Sequence, residues 1–181
     1  MARAFSPEPL DPDLVDRLLA DALRAPSAGN SQGAELVVLV GPEETARYWD
    51  AALPPERRDR FAWPDLLAAP VLVVVLTDPE RYVDRYAEPD KAQDATAWAT
   101  PYWWVDGGMV VQRLLAGVEA AGLGALFFGV FDQEPAVRSS LSIPDALGIV
   151  GVVAFGHPLP SRKGRSAERP RRPDRVRRGR Y

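Results

Sequence analysis

Cysteine is absent from the 181 residues, and histidine occurs once, as His157. The first absence removes disulfides, thiolate nucleophiles and cysteine-ligated metal centres together. The second leaves a Ser-His-Asp triad a single candidate base. His157 stands in Phe155-Gly156-His157-Pro158, just past an expected strand, and no Gly-x-Ser-x-Gly occurs in the chain. It reads as a strand-end histidine. Also missing are a phosphate-binding Gly-x-x-x-x-Gly-Lys loop, a His-Glu-x-x-His pair and a calcium-loop pattern. Gly122, Gly124 and Gly129 follow a helical stretch and precede no helix start, so they fail the context test for a dinucleotide-binding turn. The expectation is no catalytic side chain and no metal ligand set. No apolar run approaches the roughly 20 residues a membrane helix needs. Glu8, Asp11 and Asp13 follow Met1 closely, where a secretory leader carries an apolar stretch. The expected compartment is the cytoplasm, with no membrane partner.

With 46% apolar and 26% charged residues, the composition suits one globular domain with a real core. The net charge of −3 conceals an asymmetry. Residues 161–181 hold ten basic and two acidic residues, a net of +8, against −11 for residues 1–160. The chain thus divides into a body, 1–160, and a basic arm, 161–181. Such an arm serves equally to bind nucleic acid or an anionic membrane, to pair with an acidic body, or to grip a phosphate group. The absence of aromatic residues in it before Tyr181 argues against a base-stacking surface, so nucleic acid is the lesser expectation.

Along the body, Asp11-Pro12 places an N-cap before a first-turn proline, and Leu14, Val15, Leu18, Leu19, Ala22 and Leu23 form one apolar stripe. This helix should stop near Arg24, because Pro26 disfavours helical geometry at Ala25 and a loop, Ser27 to Ser31, follows. Leu36 to Val40 and Val71 to Leu76 read as strands buried on both faces. Between them come a short helix from Pro42 to Trp49 and, around Glu56 to Arg60, a loop or second short helix. Pro79 to Thr100 is polar and weakly periodic, the pattern of a mobile excursion and a candidate lid. Asp106 should open a long, centrally buried helix through about Ala121. Ala125 to Phe131 is a third strand, Glu134 to Leu141 a helix, and Ile149 to Phe155 a fourth strand. This alternation argues an α/β or α+β sandwich with helices covering a central sheet.

No acid or base stands out in this arrangement, which is what a protein needs when a cofactor carries the reaction and the chain supplies placement. A polar loop, an aromatic cluster, a glycine after two phenylalanines and an arginine-rich arm remain. The loop Arg24-Ala25-Pro26-Ser27-Ala28-Gly29-Asn30-Ser31-Gln32 resembles the Arg-x-Pro-Ser-x-x-Asn-x-Gln loop of the FMN-binding nitroreductase family, at the same place after the first helix. Asp106 to Leu115, continuing through Gly122-Leu123-Gly124 to Phe127-Phe128-Gly129, resembles that family's central helix and the turn that meets the flavin. Gly151 to Pro158 is similar to its last strand, and Arg169-Pro170-Arg171-Arg172-Pro173 with Arg180-Tyr181 to its arginine-proline terminus.

The resemblance implies an α+β sandwich with a mostly antiparallel sheet flanked by helices, residues 161–181 being a C-terminal arm that wraps the partner of a homodimer. It implies FMN as cofactor, with Pro26, Ser27, Ala28, Asn30 and Gln32 on ring or ribityl oxygens and Phe127 beside the ring. Phe128 and Gly129 would present a backbone N–H near flavin N5, and Arg3, Arg169 and Arg171 would hold the phosphate. On the residues alone, the loop is equally an ordinary helix stop and Phe128-Gly129 a packed strand end. Tyr102, Trp103 and Trp104 could wall a planar substrate, or serve as core and interface material. The implied activity is ping-pong hydride transfer from NADH or NADPH to a small acceptor such as a nitroaromatic or quinone. A flavin-binding storage or sensing protein without turnover, and a nucleic-acid module using the arm, are the alternatives. Two departures stand out. The family's opening Arg-Arg-Ser-x-Arg-x-Phe is reduced here to Arg3 and Phe5, which predicts weaker phosphate affinity, and its Gln-Pro-Trp is Gln32-Gly33-Ala34.

Overall fold

The computed structural model describes residues 1–91, 100–161, 164, 168–170, 173 and 175–180. Helix α1, Pro12–Ala22, begins where expected: the Asp11 carboxylate accepts the Asp13 N–H at 3.0 Å, and the proline in the first turn gives up no needed donor. Its stripe buries Val15, Leu18 and Ala22. Asp11→Ala should cost about 1 kcal/mol of stability, read as a lower denaturant midpoint with an unchanged slope.

The remaining elements are β1 (Ala34–Val40), α2 (Gly41–Ala52), α3 (Pro55–Arg58), a short 3-10 turn (Pro64–Ala68), β2 (Val71–Thr77), α4 (Pro79–Ala87), α5 (Tyr102–Ala120), β3 (Gly124–Phe128), α6 (Glu134–Leu141) and β4 (Gly148–Gly156). The four strands form one antiparallel sheet in the order β1-β2-β4-β3. Alternate residues of the central strand β2 serve two cores. Leu72, Val74 and Leu76 pack with α2, α6 and the 3-10 turn, while Val71, Val73 and Val75 pack with α1 and α5. Every residue of β2 is buried, as its unbroken apolar run predicts. The same expectation fails for β1, which has a strand neighbour on one side only and leaves Glu35 and Val40 exposed.

Four other expectations are corrected. Pro79–Ala87 is a helix and not an excursion; Asp78 caps it by accepting the Glu80 N–H at 2.9 Å, and it buries Tyr82 completely. Residues 92–99, including Trp98 in the expected lid, lie outside the described residues. Helix α5 starts at Tyr102, so the aromatic cluster is its first turn and not a preceding segment. Nor is α5 buried all round. Val110, Val111, Leu114 and Val118 face the sheet, whereas Tyr102, Trp104 and Val105 are more than two-fifths exposed. Strand β3 ends at Phe128 because Phe131 adopts a left-handed φ of 54° and opens a 3-10 turn.

An irregularity in β4 seats the start of α5. Val75 pairs with Gly151 and Leu76 with Ile149, leaving Val150 as an extra residue that turns toward α5. A Cβ at Gly107 would come within 2.6 Å of the Val150 side chain, so a glycine is needed for this approach. No helix among the described residues is long and apolar enough to cross a membrane.

Candidate functional site

Because the sheet is antiparallel, the starts of β1 and β4 and the ends of β2 and β3 share one end of it. The loop before β1, the first turn of α5 and the residues after β3 all gather there. The loop stands at the β1 edge and Gly129 at the β3 edge, offset across the sheet by three strand spacings, about 14 Å.

The loop is tied down on every side. Ser27 Oγ accepts the Gln32 N–H at 2.9 Å, and Ser31 Oγ donates to the Ala28 carbonyl at 2.6 Å. The Ala28 N–H donates to Asp106 Oδ2 of α5 at 2.8 Å, and the Gly29 carbonyl accepts from Arg85 Nε of α4 at 2.8 Å. Gly29, Asn30 and Gln32 take left-handed φ values of 61°, 57° and 51°. Asparagine tolerates that region, whereas glutamine is strained there. The side-chain amides of Asn30 and Gln32 are left exposed and without a hydrogen-bond partner among the described residues. Behind the loop lies a cavity of about 140 Å³ whose polar lining is Ser27, Gln32, Tyr82 and Asp106. Asp106 is only 3% exposed. The Tyr82 hydroxyl shares this lining; burial first, and Asp106 second, push the phenol well above its ordinary pKa, so it stays protonated.

At the other edge, Phe127 and Phe128 point to opposite faces of the sheet. Phe127 packs beside Gly151 on the α5 side. Phe128 stacks on Trp49 with centroids 5.8 Å apart and meets Tyr48 edge-on at 6.3 Å. These rings, with Phe61, Trp63 and Phe131, line a cavity of about 280 Å³. Phe131 is 81% exposed, and its ring lies 3.2 Å from where a Cβ on Gly129 would stand. Trp63 also carries the Arg3 guanidinium, 5.5 Å from its ring centroid. Burial pushes the Tyr48 phenol well above its ordinary pKa, leaving it neutral.

The structure thus brings Pro26, Ser27, Ala28, Asn30 and Gln32 together at one edge. At the other, Phe128, Gly129 and, through Trp63, Arg3 gather around the aromatic cavity. It does not make one wall of Tyr102, Trp103 and Trp104. The Trp103 ring meets Tyr82 edge-on at 6.1 Å and its carbonyl accepts from Thr77 Oγ1 at 3.0 Å, while Tyr102 is 44% and Trp104 43% exposed. Arg169 is exposed, and Arg171 lies outside the described residues. No group of three metal-ligating side chains occurs among the described residues. Trp49, Phe61, Trp63, Tyr82 and Asp106 escaped the sequence reading as site residues; for the first three, aromatic type in otherwise polar stretches was the one available signal.

Residues 1–157 match the family model described as the nitroreductase family. An NADH dehydrogenase of Thermus thermophilus is 29% identical over 86% of this chain and 81% of its own. A 5,6-dimethylbenzimidazole synthase of Rhodospirillum rubrum is 29% identical over 93% of this chain and 85% of its own. Among solved structures, a Desulfovibrio desulfuricans protein crystallised in complex with FMN superposes with a TM-score of 0.65, at 20% identity, over 96% of this chain and 91% of that one.

Proposed function

The chain belongs to the nitroreductase family, and from that premise we propose that it is an FMN-dependent NAD(P)H oxidoreductase working as a homodimer. Bound FMN would supply the chemistry, accepting hydride from NADH or NADPH and passing it to a small organic acceptor such as a nitroaromatic or quinone. The observation that carries the reading is the division of the sheet end. The exposed amide residues Asn30 and Gln32 lie at one edge, an aromatic cavity with Arg3 beside it lies at the other, and strands β2 and β4 run between them.

The residues present fit such a cofactor. Arg3 and the exposed Arg169 are guanidinium forks of the kind that hold a phosphate. The cavity offers flat apolar walls, and Gly129, lacking a Cβ, lets the exposed Phe131 ring lie against its backbone as one of them. Apart from the neutral Tyr48 hydroxyl, the cavity lining holds no titratable group, consistent with chemistry carried by a cofactor. Asn30, Gln32 and the Ser27 hydroxyl suit carbonyl and ribityl oxygens. Two strands lie between a ring seated at the β3 edge and the same chain's loop, so a second copy would complete the site. The exposed Tyr102, Trp104 and Val105 on α5 form the apolar face that this second copy would cover.

The test is to add FMN to the purified protein, record the visible spectrum, and follow bleaching on anaerobic addition of NADPH and then NADH. Bound flavin that bleaches, with parallel double-reciprocal plots for donor and acceptor, is the expected result. Flavin that binds without bleaching would instead indicate a carrier or sensor. Failure to bind FMN, together with salt-sensitive nucleic-acid binding lost on removing 161–181, would shift the function to the arm.

Asn30 allows the loop's amide and backbone contributions to be separated. Asn30→Gly keeps the left-handed geometry and deletes one hydrogen bond, so FMN should bind roughly fivefold more weakly. Asn30→Ala must also hold a Cβ at φ 57°, a strain of about 1–2 kcal/mol that appears as lower thermal stability beyond that of the glycine variant.

A further inference from the structure

Arg85, in the last turn of α4, takes no part in the proposed hydride transfer, yet its guanidinium is held on every side. The fork lies bidentate on Asp90, Nη1 to Oδ1 and Nη2 to Oδ2 at 2.8 Å each, and Nη1 also reaches Glu88 at 3.2 Å. With the fork so fixed, Nε donates to one acceptor, the Gly29 carbonyl of the loop, at 2.8 Å. Tyr86 and Lys91 close over the same glycine, where a Cβ would stand 2.8 Å from the Tyr86 ring and 3.4 Å from Lys91 Cε. The ion pair itself is a surface pair, with the Asp90 side chain 61% exposed, and such pairs add little to stability. Its effect is to aim Nε at the loop.

The Gly29 carbonyl belongs to the peptide that joins Gly29 to Asn30. At the other end of that peptide, the Asn30 N–H donates to the Ser27 carbonyl at 2.9 Å. Rotating this one peptide by half a turn alters only ψ of Gly29 and φ of Asn30. Gly29, at φ 61° and ψ 15°, would enter a region that glycine alone occupies at little cost. Asn30 would leave its left-handed φ of 57° for the extended region open to every residue. Backbone preference therefore does not hold the peptide in place; two hydrogen bonds do, and the charge-assisted one from Arg85 is the stronger. The other loop ties, from Ala28 N–H to Asp106, from Ser31 N–H and Oγ to the Ala28 carbonyl and from Gln32 N–H to Ser27 Oγ, belong to neighbouring groups and would survive the rotation.

We propose that Arg85 is a positioning residue for flavin binding: its Nε–H holds the peptide between Gly29 and Asn30 in the orientation that keeps Asn30 left-handed and its amide outward. This rests on the reading of the loop as a flavin contact. Arg85 is assigned no contact with the cofactor, because its guanidinium is taken up by Asp90, Glu88 and Gly29. Acting through Asn30 alone, it can contribute no more to FMN affinity than the Asn30 amide does.

The experiment uses the full-length protein and its variants Arg85→Met, Asn30→Gly and Asn30→Gly/Arg85→Met. Methionine keeps an unbranched stem and has no donor, and losing a surface ion pair leaves the fold intact. FMN affinity is measured by flavin fluorescence, and exchange of the amides of residues 30 and 31 by NMR. In R85M we expect FMN to bind roughly fivefold more weakly, as in N30G, and the Asn30 amide to exchange about tenfold faster while the Ser31 amide is unchanged. The double variant should bind FMN no more weakly than about fivefold, since the amide that Arg85 presents is already gone. Losses that multiply to about 25-fold would mean that Arg85 acts on FMN independently of Asn30, and would overturn the proposal. So would a Ser31 amide accelerated as much as that of Asn30, the mark of a loop that merely loosens, or an R85M protein with unchanged FMN affinity or unchanged Asn30 exchange. If the wild type binds no FMN, the flavin reading fails by itself. Faster exchange at Asn30 alone in R85M would then still support the hold on the peptide, and its absence would overturn it.

Discussion

Tyr82→Ala is expected to lower the unfolding free energy by about 4 kcal/mol, whereas Tyr82→Phe, which keeps the ring, should cost no more than about 1 kcal/mol. The ring is fully buried and fills the space between three segments: the loop end at Gly33, the first turn of α5 at Trp103, and α4 itself. Glycine at 33 leaves no side chain to collapse into the void, and Trp103 is held by the Thr77 hydroxyl on its carbonyl, so the cavity cannot close cheaply. Deleting the hydroxyl alone leaves the packing intact and Asp106 still bonded to Ala28. Urea unfolding followed by tryptophan fluorescence distinguishes the two variants. If they were equally stable, the ring would contribute no packing and α4 would not be docked as described.

Tyr82 also illustrates how far the sequence could be read. The pair Asp11-Pro12 announces α1, and Asp78-Pro79 announces α4 with the same chemistry: a carboxylate accepting an N–H two residues on and a proline at the first helical position. The first signal is followed by a six-residue apolar stripe. The second opens a nine-residue helix with a single buried side chain, so its periodicity is too weak to show and the pair passes for the end of a strand. Strand β2 was legible because burial on both faces demands an unbroken apolar run. Strand β1 carries a similar run at an edge, since composition does not encode the number of neighbours a strand acquires.

The candidate site divides in the same way. Its loop is local, and Pro26, Ser27, Asn30 and Gln32 could be picked out because this one continuous segment resembles the family's loop. What holds the loop is not local. Asp106 looked like a helix opener, and only the folded chain turns its carboxylate onto a peptide 78 residues earlier. Trp49, Phe61 and Trp63 come from α2 and the segment beyond α3, yet they close a cavity with Phe128 from β3; no spacing in the sequence records that convergence.

Arg3 bears the largest expected effect on ligand binding. The family's arginine-rich opening is reduced here to this one guanidinium, which is half-buried and laid over Trp63 beside the aromatic cavity. A charge-assisted bond to a phosphate is worth about 1.5–3 kcal/mol, so Arg3→Ala should weaken FMN binding about 10- to 100-fold, with the loss shrinking at high salt. Arg3→Lys keeps the charge but not the planar fork or its stacking on the indole, and should fall between. Riboflavin, which has the same ring and ribityl chain but no phosphate, separates the two ways Arg3 could act. If Arg3 holds the phosphate, riboflavin binds wild type and R3A alike, and the deficit is confined to FMN. If Arg3 instead keeps Trp63 in place as a wall of the cavity, both ligands lose affinity equally and R3K does not rescue. An R3A protein that binds FMN as well as wild type would place the phosphate on the C-terminal arm, leaving Arg3 only its contact with Trp63.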